Sequence, residues 1–457
     1  MNTPVVLGGG TPAPAPAPAP GSHDLGEYVR RFAGSALIVQ PRMGMSDPGV
    51  MAAGLRAVAG TRARTVATLT IDSYTRVGDE AGARAALARH GLLNGYPITV
   101  HGPELTAALA GEAGDRPVQV RHGSASPGAI FRTLVRAGLS ASEGGPVSYC
   151  LPYGRTPLAE SVAHWREATR QLADECAALG RRAHLETFGG CLLGQLCPPS
   201  LLIAVSLLES LFFVQQGIRS VSLSYAQQTD PVQDLEALAA LRRLADTYLP
   251  EHVDRHLVLY TYMGVFPATR AGAELLTDRS AELAARAGVE RLIVKTPAEA
   301  HRIPTVSENV RSLRRASDAA ARARTAHDLP WAHQTDYSGV LAEATALIEA
   351  VLQLSDDVGS ALLQAFRRGL LDVPFCLHRD NRAATRSAID ADGRLVWADQ
   401  GALPLPRRAR TGGRGVTAAQ LLTMLRHTAE QYDSLGAAGG PQGALPGPAQ
   451  NALPTAS

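Results

Sequence analysis

The chain has 457 residues, 45% of them apolar and 19% charged, enough apolar material for a large buried core, which excludes a wholly disordered protein. Its 44 basic and 42 acidic residues leave a formal net charge of +2, which argues against a coat for nucleic acid or for an anionic membrane but leaves room for a local basic pocket. Length alone would allow three domains, although a large barrel fills the same length as one.

In chain order, residues 1–22 contain a Pro-Ala alternation over 12–20, which favours an extended, polyproline-like tail expected to be disordered. No basic stretch followed by an apolar core precedes residue 23, so no secretory signal is expected. Nine short runs then read as strands: SALIVQ (35–40), TVATLTI (65–71), YPITV (96–100), PVQV (117–120), PVSYCL (146–151), AHLET (183–187), SVSLSY (220–225), HLVLYTY (256–262) and RLIVK (291–295). Longer amphipathic stretches separate them, the pattern of βα units and a parallel sheet. The expected fold class is α/β, a (β/α)8 TIM barrel over residues 23–310, with one candidate strand left over. No GxGxxG follows any strand, so a dinucleotide fold has little support. The most apolar run, 201–214, is shorter than a bilayer span and carries Glu209, so it reads as a buried helix packed on the sheet. Residues 311–435 read as a C-terminal extension: helical, irregular over 372–406, then helical over 416–433. Residues 436–457 are expected to be a second disordered tail.

Five cysteines at 150, 176, 191, 197 and 376 form no CxxC pair and read as free thiols in a reducing cytoplasm. Cys376 and His378 are two apart, but no second pair has ligand spacing, so no metal site is expected. Lysine occurs once, at Lys295, among 44 basic residues, a sign that arginine would not serve there.

In a barrel, chemistry gathers where strands end. Arg42 follows the first run, Asp72, Tyr74 and Arg76 the second, and Arg121 and His122 the run at 117–120. Three arginines on neighbouring loops suit a dicarboxylate or a phosphate, although each alone also reads as a surface residue paired with an acid. Glu143 can accept from an ammonium group or act as a base, and equally reads as a loop carboxylate. Tyr149 and Tyr153 can donate to a carboxylate or simply pack. Lys295 closes the last strand run, where a Schiff-base aldolase keeps its nucleophile. With Glu299 four residues on, it also reads as a surface ion pair.

The stretches VQPRMG (39–44), LTIDSYTR (69–76), LLNGYPITVHG (92–102), VRHGS (120–124), SEGGPVSYCLPY (142–153), CPPS (197–200), QQGIRSVSLSYAQ (215–227), YMGVFP (262–267) and VKTPAEAHRIPT (294–305) resemble, in this order, the epsilon (large) subunit of glutamate mutase, also called methylaspartate mutase. The resemblance is dense over 35–310 and loose to about 405. It implies an isomerase, an intramolecular transferase that interconverts L-glutamate and (2S,3S)-3-methylaspartate by a radical route with adenosylcobalamin. It also implies a separate small subunit whose DxHxxG motif supplies the cobalt ligand, and two copies of this chain within a heterotetramer. This chain lacks that motif; Asp254-Arg255-His256 has no glycine at the right place. Carried over by position, Arg42, Arg76 and Arg121 would clamp the substrate carboxylates, with His122 beside them. Glu143 would take the amino group and act as base, and Tyr149 and Tyr153 would touch a carboxylate. Gly44, Asn94, Pro152, Phe266, Lys295, Glu299 and Ile303 would contact the cofactor, Lys295 and Glu299 at the adenosyl ribose.

The chain departs from the family's Arg-Glu-Pro-Phe-Gly at Leu185-Glu186-Thr187-Phe188-Gly189, and little family pattern survives after 375. Such changes bear on substrate or partner. A Schiff-base lyase using Lys295, a non-catalytic dicarboxylate-binding homologue and a sister mutase acting on another amino diacid remain as alternatives. A cytoplasmic enzyme without nucleic-acid or membrane partners is expected.

Overall fold

A computed structural model describes residues 24–152, 154–192, 196–325, 335–406 and 416–438. The two expected tails lie outside these, apart from the first residues of the second. Eight parallel strands make one sheet: β1 (Ile38–Pro41), β2 (Ala67–Thr70), β3 (Val118–Arg121), β4 (Ala141–Gly144), β5 (His184–Thr187), β6 (Ser220–Ala226), β7 (Asp254–Tyr260) and β8 (Arg291–Val294). Their spatial order, β1-β8-β7-β6-β5-β4-β3-β2, runs round the ring in chain sequence. A bridge between Val39 and Thr65 spans the seam between β1 and β2, where Val39 N donates to Arg64 O at 2.9 Å. The fold is therefore a nearly closed (β/α)8 barrel, as expected from the alternation of runs and helices.

Two of the nine strand candidates are something else, and one strand falls where none is expected. In YPITV, Tyr96 makes a single bridge to Ile71, and Pro97 then starts the helix Ile98–Gly111, which breaks at Gly102 (φ 80°) before Pro103. PVSYCL is a succession of turns after β4. The strand itself is Ala-Ser-Glu-Gly, a poor β-former by composition that is held between β3 and β5 on both edges. Gly144 ends it at φ 129°, where a Cβ would lie 2.5 Å from Tyr149 and 2.6 Å from Trp165.

The run 201–214 is indeed a buried helix, Pro199–Gln215, apolar on nearly every side. It is covered by the barrel on one side and by the helices Ser338–Leu352 and Val358–Arg368 on the other. The helix Val306–Thr325 packs on β1 and β8 and completes the outer layer, running across residue 310. The stretch expected to be irregular contains a hairpin, β9 (Arg386–Ile389) and β10 (Leu395–Asp399), joined by a turn with Gly393 at φ 83°. Gln233 of helix Pro231–Tyr248 pairs with Leu395 N and O at 2.9 Å each and so seats this hairpin on the barrel. The last helix, Ala418–Ala437, lies against Arg270–Arg286. No helix among the described residues is long and apolar enough to cross a membrane.

The helix Leu25–Phe32 closes the N-terminal end of the barrel, with Leu25, Tyr28 and Val29 packed on Ile38, Val66 and Ala141. Above this plug the barrel interior is polar. Branched apolar side chains usually fill such an interior. Here Gln40 donates to Thr68 Oγ1 (2.9 Å) and Gln119 Oε1 (2.7 Å), and Gln119 donates to Glu186 Oε2 (3.1 Å). Arg291, fully buried, ion-pairs with Glu186. Buried polar groups are retained only when paired, and this network pairs them.

Candidate active site

The C-terminal mouth is built from strand ends. Arg42 follows β1. Asp72 caps the helical turn Ser73–Arg76, accepting from Tyr74 N (2.8 Å) and Thr75 N (3.0 Å), and that turn presents Arg76. Arg121 ends β3, and Glu143 lies within β4. A cleft of about 160 Å³ brings Arg42, Arg76, Asn94, Arg121, His122, Glu143 and Tyr149 together. Asn94 accepts from Ser73 N at 3.0 Å, which ties the loop after β2 to the same wall. Pro152 lines a neighbouring cleft of about 780 Å³ that shares Arg76 and Tyr149 with the first. Tyr153 lies outside the described residues.

Arg121 is only 4% exposed, and its Nη2 sits 2.7 Å from Glu143 Oε2. Its Nη1 is 3.7 Å from Glu186 Oε1 and has no hydrogen-bond partner among the described residues. Glu143 also accepts from the hydroxyls of Tyr149 and Tyr260, the latter at 2.9 Å from Oε2. Burial raises the Glu143 carboxyl above its ordinary range; Arg121 opposes that and Glu186 adds to it. His122 accepts from Ser124 N through Nδ1 at 2.9 Å and stacks on Trp165 with ring centres 5.7 Å apart. Burial, reinforced by Arg121, pushes it down to about 3, so it is a neutral ring beside the arginines.

A second group stands next to the first. Lys295 Nζ lies 3.7 Å from Glu299 Oε2 and 5.0 Å from the centre of the Phe266 ring. Burial lowers the Lys295 ammonium to about 8, against the pull of Glu299. Arg42 Nη1 reaches Glu299 Oε2 at 3.4 Å and joins the two groups. Gly44 and Ile303 stand apart. A Cβ at Gly44 would sit 2.0 Å from Thr70 O, so the glycine lets the first loop press on β2. Ile303 is 54% exposed on the loop after β8. The Asp254–His256 segment lies in β7, with Asp254 paired to Arg30 and His256 beside Arg291.

Glu186, Tyr260 and Arg291 escaped the reading of strand ends. They sit inside strands whose apolar residues face outward. The signal was pairs of polar residues an even number of positions apart in otherwise apolar runs: His184 and Glu186 two apart, His256 and Tyr260 four apart, and Arg291 and Lys295 four apart.

Such a mouth, three arginines around a buried glutamate at the C-terminal end of a (β/α)8 barrel, defines a barrel protein with a basic cleft where strands end. The model of the methylaspartate mutase E chain family matches residues 20–417. The glutamate mutase epsilon subunit of Haloarcula marismortui is 33% identical over 400 residues, covering 83% of this chain and 80% of that one. Those of Yersinia enterocolitica (31%, covering 75% and 73%) and Halobacterium salinarum (33%, covering 76% and 76%) are similar. The chain belongs to the methylaspartate mutase E chain family and is a mutase homologue of the large-subunit type.

Proposed function

We propose that this chain is the substrate-binding subunit of an adenosylcobalamin-dependent mutase that interconverts L-glutamate and 3-methylaspartate. A small subunit would carry the cobalamin, and two copies of this chain would sit in a heterotetramer. One observation carries the reading. Arg42, Arg76 and Arg121 share a cleft with Glu143, and an Nη1 donor of the buried Arg121 has no hydrogen-bond partner among the described residues. Two carboxylates and one ammonium on a small substrate match three guanidinium forks and one carboxylate.

The arginines bind charge that changes little along the reaction, so they position both ends of the substrate and keep fragments in place. Glu143 holds the substrate nitrogen and takes its proton. Tyr149 fixes the Glu143 carboxyl, and Tyr153, by the resemblance alone, would touch a substrate carboxylate. His122 offers a neutral wall. Lys295, Glu299 and Phe266 fit an adenosyl group: the charged pair offers a donor and an acceptor to ribose hydroxyls, and the ring offers a flat apolar face. Asn94 lines the first cleft and Pro152 its neighbour, and with Gly44 and Ile303 they would contact the cofactor by the resemblance. Adenosylcobalamin, when bound, would supply the radical chemistry of the rearrangement. The Lys295 amine, lowered to about 8, favours one second reading, a Schiff-base lyase.

The test mixes the full chain, a cobalamin-binding small subunit, adenosylcobalamin and L-glutamate in dim light, and follows 3-methylaspartate through its deamination to mesaconate. Product that needs every component and is lost in Glu143→Gln is expected. Absence of product despite cobalamin binding to the complex would overturn glutamate as substrate. Borohydride trapping of Lys295 by a carbonyl compound would favour the lyase.

A further inference from the structure

The reading above uses Glu143 and leaves a second buried carboxylate without a task. Glu186 lies in β5 directly opposite Glu143 in the β4–β5 register. Tyr260, at the end of β7, sets its hydroxyl against both acids, 2.9 Å from Glu143 Oε2 and in hydrogen-bond contact with Glu186 Oε1. A phenol has one proton and can donate to only one of them at a time. The other contact is complete only when that carboxyl itself carries a proton.

The surroundings decide which carboxyl that is. Glu186 faces donors alone: Arg291, Gln119 Nε2 at 3.1 Å, Ser222 Oγ at 3.3 Å and Arg121 Nη1 at 3.7 Å. Arg291 is fully buried and does not line the cleft. Glu143 has one cation within ion-pair distance among the described residues, Arg121, which the clamp must share with a substrate carboxylate. The other titratable groups about this pair are His122, Tyr149 and Cys191, with Arg42 and Arg76 on the cleft rim and His184 and His256 below. His122 is neutral, and burial raises the Cys191 thiol well above its ordinary value. For Glu186, burial works upward, but Arg291 and Arg121 outweigh it and hold the carboxyl below its usual range, the reverse of Glu143.

We infer that Glu186 is a positioning residue of the reaction. Pinned by Arg291, it is a permanent anion that, through Tyr260 and Arg121, makes Glu143 the carboxyl that exchanges a proton with the substrate. The transfer balances within the site: a substrate ammonium and the Glu143 carboxylate become an amine and a carboxylic acid, and the reverse step returns the proton. The inference rests on the mutase reading for the identity of the substrate.

Its test reads the acid limb of glutamate binding to the full chain by calorimetry, alongside the limb of kcat/KM in the reconstituted enzyme. Binding of the ammonium needs Glu143 ionised, so the limb reports that carboxyl in the free protein. Glu186→Gln removes the neighbouring negative charge and is expected to move the limb to lower pH by about one unit or more. Tyr260→Phe removes the oxygen that accepts from the protonated Glu143 carboxyl and is expected to move it to lower pH as well. A purely structural role would lower the plateau and leave both limbs in place, which would overturn the inference. If Glu186→Gln fails to fold, Tyr260→Phe decides alone, and an unshifted limb overturns the inference. Glutamate binding without turnover strikes the mutase reading alone, because the binding limb still judges Glu186. No glutamate binding at any pH overturns both.

Discussion

Arg121 holds its charge where water scarcely reaches and where two glutamates offset it. Lysine would keep the charge but lose the planar fork. Arg121→Lys is therefore expected to fold and to lose about 10- to 100-fold in kcat/KM for glutamate in the reconstituted assay, the size of a lost charge-assisted hydrogen bond. Burial, with the charges of Arg121 and Arg291, pushes His122 and His184 down to about 3. Their ring signals are expected to show no protonation step between pH 8 and pH 5 in a nuclear magnetic resonance titration. At this scale the sequence was legible for residues just past strand ends. It was not legible for Glu186, Tyr260 and Arg291, because a polar residue within a buried strand is useful only if its partners on other strands are known.

At the scale of elements, the segment Gly144–Leu151 shows local preference being overruled. Val147, Tyr149 and Leu151 favour a strand, yet the segment turns because another element satisfies its backbone. Glu209, on the helix Pro199–Gln215, accepts from Val147 N (3.1 Å), Ser148 N (2.9 Å) and Ser148 Oγ (2.9 Å). The acid that broke the apolar run in the sequence thus anchors the loop carrying Tyr149. Burial, opposed by the bonds to Ser148 and Val147, raises Glu209 from 4.5 to about 7. The native protein holds that proton up to about pH 7, whereas the unfolded chain releases it near 4.5. Its stabilising contribution is complete below pH 4.5 and is lost as pH rises through 7. Glu209→Gln is expected to remove this dependence, so that wild-type stability relative to the variant falls by about 3 kcal/mol from pH 4.5 to pH 8, read from urea midpoints. Glu209→Leu leaves two buried N–H groups unpaired and is expected to cost about 2–5 kcal/mol by the same measurement.

Across the whole molecule, the two ends of the barrel have separate tasks. The N-terminal end is sealed by the helix Leu25–Phe32, and the C-terminal end is left open for chemistry. Leu25→Ala is expected to lower stability by about 2–4 kcal/mol in urea unfolding while leaving kcat unchanged, because the cavity opens at the end away from the mouth. At the mouth, Asp433 of the last helix accepts from Ala268 N and Thr269 N at 2.9 Å each, which holds the loop that follows Phe266. By itself the sequence determined the barrel, through the alternation of apolar runs with amphipathic helices, and it brought Arg42, Arg76 and Arg121 to one cleft, because strand ends converge in any such barrel. It also spaced the lone lysine four residues from Glu299, and the turn after β8 brings the two together. Only the tertiary structure decided which runs pair, that Ala-Ser-Glu-Gly is a strand while PVSYCL is not, and that Glu143 and Glu186 face each other. Those outcomes depend on neighbours distant in the chain, whose hydrogen bonds and charges outweigh the local preference of a short segment.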